Sequence, residues 1–182
     1  MLENKQSYIA NFNCTFGNDN KPMLEYFFEI LLPAFTSEEL NSSHKENKPF
    51  DSKPDFFFEN VKLTNLKGDF VLAGLIVKRT TLEIRSRVID GKLVKTNETY
   101  PSDPYSFFII NLKNHRMVLV KNQKGSPTLA NFSVTAREKI RAFIRQENAT
   151  RTKEERLPQV QLNVVSIPFK GAIKEELKRV KK

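Results

Sequence analysis

"DFVLAGLIVKRTTLEIRSRVIDGKLVKTNETY", residues 69–100, decides the fold class. Asp90-Gly91 lies between two runs rich in Val, Ile, Leu and Thr, the strongest short-range hairpin signal in the chain. Leu82, Ile84 and Val88 share one face by alternation, and Glu83, Arg85 and Arg87 share the other. The pattern predicts two strands before the turn, "DFVLAGLIVKR" and "TTLEIRSRVI", and a return strand in "KLVKTNETY".

Working outward, "YSFFIINL" and "RMVLV" read as a further strand pair turned at "KNH". Phe107, Ile109, Val118 and Val120 are expected to be buried together there. "SYIANFNCTF" places Tyr8, Ala10, Phe12, Cys14 and Phe16 on one side of a strand, and "DFFFENVKLTNL" and "LPQVQLNVVSIPF" add two more. Helical spacing predicts a helix over about 22–32, with proline near its start and Pro33 as its stop. A second is expected in "SVTAREKIRAFIRQENATR", capped by Ser133 with Ile140, Phe143 and Ile144 as its apolar stripe, and a last one in "KGAIKEELKRVKK". The fold class is therefore α+β: a mostly antiparallel sheet with flanking helices packed on one face. The expected organisation is a single domain over 1–182, compatible with the N-terminal part of a longer protein, with a mobile loop at about 36–54.

Charge is unevenly placed. Residues 1–111 carry 13 basic and 15 acidic side chains, a net of −2, whereas residues 112–182 carry 17 and 6, a net of +11. A basic region beside a near-neutral one is the electrostatic footprint of a polyanion partner. Arg137, Arg141 and Arg145 stand four residues apart and share a helix face. The stretch "KNHRMVLVKNQKGSPTL", 113–129, adds Arg116, Lys121 and Lys124, with Gly125 offering positive φ and Ser126 and Thr128 offering hydroxyls. These six basic residues are the candidate nucleic-acid contacts. The strand face of Arg85 and Arg87 is the secondary candidate. The competing reading of every one of them is a solvated surface, and of the 113–129 stretch an ordinary hairpin and loop.

Catalytic signatures are missing. There are two histidines, His44 and His115, and one cysteine, Cys14, which gives no zinc spacing and no internal disulfide. There is no P-loop, no GxGxxG and no GxSxG. The strand acids Glu59, Asp69 and Glu83 lack the lysine a metal nuclease would place two residues on. No metal or cofactor is expected, and the balance is against an enzyme. No apolar run reaches a membrane span and no secretory h-region opens the chain, so the expected setting is the cytoplasm.

The order of "PYSFFIINLKNHRMVLVKNQKGSP", a helix, "VQLNVVSIPF" and another helix resembles a group of bacterial domains that accompany mobile elements and phage-exclusion or abortive-infection genes, broadly similar to the Rex exclusion regulator of lambdoid phages. The resemblance covers about residues 70–180 and carries no functional residues with it. It implies a bacterial or phage cytoplasm and a nucleic-acid-linked role. The expected function is a non-enzymatic, backbone-led, weakly sequence-specific nucleic-acid-binding domain of a phage-defence or mobile-element protein. The alternative is a protein-interaction module whose basic surface docks an acidic partner, and self-association is compatible with either.

Overall fold

The N-terminal alternation is realised as β1 (Ser7–Phe16), whose Ala10, Phe12, Cys14 and Phe16 are buried. The structure, a computed structural model, describes residues 5–41 and 54–168. A two-residue strand, β2 (Lys21–Pro22), returns from β1 and leads into one turn of 3₁₀ helix at Met23–Tyr26. A π turn at Phe27–Leu31 and α1 (Leu32–Thr36) follow without a break. The expected stop at Pro33 does not occur, because Pro33 sits in the first turn of α1, where its missing N–H is tolerated. The wide turn before it is closed by the Leu32 N–H donating to Phe27 O.

The expected loop at 36–54 begins instead with a short helix, α2 (Glu38–Asn41), anchored by Leu40 and Asn41, both buried. Residues 42–53 of that loop, with His44, and the expected helix over 170–182 lie outside the described residues.

β3 (Asp55–Leu66) and β4 (Asp69–Ile89) form an antiparallel pair. β4 is one strand of 21 residues, not two. The expected boundary between Arg79 and Thr80 is instead the point where β4 leaves its neighbours: pairing with β3 ends at Arg79, and from Thr80 its partner is β5 (Lys92–Ser102). Asp90 and Gly91 make the turn with φ of 50° and 74°, the geometry expected of this dipeptide. β6 (Tyr105–Asn111) then pairs with β4, and β7 (Arg116–Lys121) with β6 and β1. After α3 (Leu129–Asn148), β8 (Val160–Ser166) closes the order by pairing with the free side of β1. The result is a curled, antiparallel, sheet-dominated α+β arrangement with few helices.

The core is a set of phenylalanines between sheet and helices. Phe58 and Phe108 of the sheet meet Phe35 of α1 and Phe132 of α3, with Phe35 and Phe58 stacked at 4.4 Å. This fixes which side of β6 is inside. Ser106, Phe108 and Ile110 are buried, as are Met117 and Leu119 of β7. The expected core set lies on the other face: Phe107 is 42% and Ile109 37% exposed, and Val118 and Val120 are half-buried. Those four residues do adjoin across the strands, Phe107 opposite Val120 and Ile109 opposite Val118, but on the outer side of the sheet. β3 carries a bulge at Asn60–Val61, which seats Val61 over Gly74. A Cβ on Gly74 would lie 2.8 Å from a Val61 methyl carbon and 3.0 Å from its Cα. No helix among the described residues is long and apolar enough to cross a membrane.

Candidate nucleic-acid interface

α3 is positioned from both ends. Thr128, rather than Ser133, is its N-cap: the Asn131 N–H donates to Thr128 Oγ1 (3.3 Å), and the Thr128 N–H donates to Asn131 Oδ1 (2.9 Å). This reciprocal pair starts the helix at Leu129, with Phe132, Thr135, Ala136, Ile140 and Ile144 buried. At the far end Asn148 makes two hydrogen bonds with the backbone of Leu157, accepting from its N–H (2.7 Å) and donating to its carbonyl (3.0 Å). Nearer the start, Arg137 Nη2 donates to Leu162 O of β8 (3.0 Å). Helix and strand therefore run antiparallel, and the arginine-bearing face lies along β8.

The three arginines of that face are not equivalent. Arg137 is half-buried and its guanidinium is committed to a carbonyl. Arg141 and Arg145 are exposed and have no hydrogen bond or ion pair among the described residues. Most other arginines differ: Arg79 is bound to Asp103, Arg85 to Glu83, Arg87 to Glu98, and Arg151 to Glu29 and Glu147. The secondary candidate face is thus largely neutralised by its own carboxylates. Arg156, which the sequence reading passed over, is exposed and unpaired among the described residues in the segment between α3 and β8.

The structure divides the 113–129 stretch. Arg116 opposes Asn11, on the outer side of the sheet, whereas α3 packs on the inner side. The sheet therefore separates Arg116 from the helix arginines. Lys121 ends β7 with the parity of buried Leu119, and exposed Lys124 follows, so these two stand on the stretch that leads into α3. The hydroxyls are occupied. Ser126, buried, accepts the Gln123 N–H (3.0 Å), Thr128 caps α3, and Ser106 ties the loop by donating to Pro127 O (2.8 Å). The loop holds positive φ at Gly125 (86°), and its polar atoms serve its own fold.

The turn before β7 is built in the same way. Asn111 Oδ1 accepts the N–H groups of Lys113 (2.9 Å) and Asn114 (3.2 Å), and Asn111 Nδ2 donates to Asp69 Oδ2 (2.9 Å). That hydrogen bond, assisted by the charge of Lys113, holds the Asp69 carboxyl below its ordinary value. His115 occupies the left-handed region at φ 56° and Arg116 starts the strand. Among the described residues no three His, Cys, Asp or Glu side chains lie close enough together to hold a metal ion.

No family model, curated protein or solved structure matches this chain.

Proposed function

We propose that the chain is a non-enzymatic nucleic-acid-binding domain that grips phosphate through α3, with Arg141 and Arg145 as the principal contacts and Lys121 and Lys124 extending the surface toward the helix start. The observation that carries this reading is selective pairing: Arg79, Arg85, Arg87 and Arg151 have carboxylate partners, whereas Arg141 and Arg145 stand exposed one turn apart on α3 and are unpaired among the described residues. Unpaired guanidiniums at a fixed spacing suit a polyanion, and each phosphate neutralised releases condensed counterion. Nothing in α3 resembles a base-reading element, so binding is backbone-led and weakly sequence-specific. Arg137 contributes by holding the helix to β8. The phage-defence or mobile-element setting, and with it a cytoplasmic location, rests on the resemblance of residues 70–180.

The test is fluorescence anisotropy of labelled duplex DNA, single-stranded DNA and RNA across a salt series. Wild type should bind with a steep salt dependence, and Arg141→Gln/Arg145→Gln should flatten the slope of log K against log salt by about 0.9 per arginine on duplex DNA. Absence of binding at low salt for every ligand, or an unchanged slope in the double variant, rejects the reading.

A second reading, a protein-interaction module, is favoured by a different observation. The outer face of the sheet exposes Ile9, Phe107, Ile109 and Val165, and the ribbon of β4 and β5 exposes Leu82, Val88 and Leu93. Apolar groups gathered in this way mark protein contacts more often than polyanion contacts.

A further inference from the structure

The two edges of the sheet are treated differently. β3 is guarded: its bulge at Asn60–Val61 interrupts the ladder, Glu59 and Lys62 flank it, and the Phe58 N–H is taken by Asn41 Oδ1 (3.0 Å). These are devices by which proteins keep edge strands from pairing with other chains. β8, Val-Gln-Leu-Asn-Val-Val-Ser, has only the counterpart of the last, Arg137 donating to Leu162 O (3.0 Å). It carries no charge, no proline and no bulge, and its register against β1 is unbroken over seven residue pairs.

The direction of its open backbone groups follows from the ladder. The Phe12 N–H of β1 donates to His115 O on the β7 side, and Ile9 O accepts from the Ile167 N–H on the β8 side. Odd-numbered residues of β1 therefore bond toward β8. Their partners 161, 163 and 165 bond back, so the N–H and C=O groups of Val160, Leu162, Val164 and Ser166 point away from the sheet. Leu162 O receives Arg137, and among the described residues the other open groups have no protein partner.

We propose that β8 pairs antiparallel with β8 of a second copy of this chain, about a twofold axis through Asn163. This register matches every outward group with another: Val160 with Ser166 of the second copy, and Leu162 with Val164 of the second copy. A carbonyl has two lone pairs, so Leu162 O accepts the incoming N–H while keeping Arg137. Two observations besides the edge itself point to a second copy as the occupant. The strand is self-complementary in this single register, as an isologous contact requires. The apolar outer face also runs to this edge, where Val165 opposes Asn11 and Ile9 lies beside it, so pairing joins two such faces into one. On the inner side the arginine faces of two α3 helices approach across the axis. Their repulsion makes self-association stronger as salt rises, opposite in sign to nucleic-acid binding, so the two proposals stand or fall separately.

The experiment is sedimentation equilibrium of the full chain without nucleic acid, at low and high salt, with two variants. Wild type should dimerise, more tightly at high salt. Val164→Pro removes an outward N–H and no bond to β1. It should weaken the dimer about tenfold or more, since the twofold axis deletes two hydrogen bonds at once, with little change in the thermal midpoint. Asn163→Cys, oxidised, should give a disulfide-linked dimer, because facing residues of such a pair lie about 4.5 Å apart at Cα. Gln161→Cys should not, its counterpart lying about 13 Å along the strand. Cys14 is buried and does not compete. A monomer at all concentrations and salts, a dimer indifferent to Val164→Pro, or crosslinking at 161 in preference to 163 overturns the proposal. If Val164→Pro fails to fold, the cysteine pair decides alone.

Discussion

Asn41 does more for this fold than its place at the end of a polar run suggests. Its Nδ2 donates to Phe35 O (3.2 Å) and Ser37 O (2.9 Å), and its Oδ1 accepts the Phe58 N–H, so one buried amide joins α1, α2 and β3. In the sequence it is one polar residue among several, because only the fold supplies its three partners. Asn41→Ala leaves the buried Phe58 N–H without its acceptor and takes a donor from Phe35 O, while Ser37 O keeps the backbone N–H of residue 41, and should cost about 1–3 kcal/mol in urea unfolding. Cys14 was legible as a small apolar strand residue, and burial pushes its thiol up to about 12 from an ordinary 9.0. Its folded value is raised, so the stability this residue contributes is complete below pH 9.0 and is lost as pH rises toward 12. The stability difference between wild type and Cys14→Ala should therefore move against wild type across that window. At neutral pH iodoacetamide should label Cys14 only after unfolding.

At the scale of elements, alternation revealed the strands and their parity but not which parity is inside. β6 is apolar at Phe107, Phe108, Ile109 and Ile110 alike, so the local pattern offers no choice of face. The choice is made by Phe35 and Phe132, far away in sequence, which pack on Phe108. The two isoleucines of β6 supply a direct comparison. Ile110→Ala opens a cavity in a fully buried site and should cost about 2–5 kcal/mol. Ile109→Ala, on the half-exposed outer face, should cost clearly less in the same titration. The start of α3 was misplaced for a related reason. Both Ser133 and Thr128 are acceptable caps by type, and what distinguishes them is the reciprocal bond to Asn131, together with Phe132 needing to be helical to reach the core. The basic face itself was fully legible as a four-residue repeat. Its division into a structural Arg137 and two arginines unpaired among the described residues was not, because Leu162 O comes 25 residues later.

At the scale of the whole molecule the protein is a packed sheet-and-helix body from which a two-stranded ribbon extends. Past Arg79, β4 pairs only with β5, and β5 has no other strand partner among the described residues. About ten residues per strand give the ribbon a reach of about 30 Å. Its cohesion is local: Arg87 bonds Glu98 (3.0 Å), Tyr100 Oη donates to Glu98 (2.9 Å), and Thr96 Oγ1 donates to Ile84 O (2.9 Å), with the apolar groups Leu82, Val88 and Leu93 open to solvent. An isolated two-stranded ribbon is marginal in water, so it takes its order from the body and returns little stability to it. Replacing residues 83–99 by a two-residue Asn-Gly turn joining Leu82 to Tyr100 should therefore leave the cooperative thermal transition within a few degrees of wild type. The pairing of β4 with β3 and β6, which ends at Arg79 and Val77, is untouched by the excision. Among sites within the described residues, limited trypsin digestion of the native chain should cut first in the ribbon, at Arg85, Lys92 or Lys95, while the body stays intact. A loss of cooperative unfolding on excision, or first cleavage within α3 or β7, would mean that the ribbon is an integral part of the body.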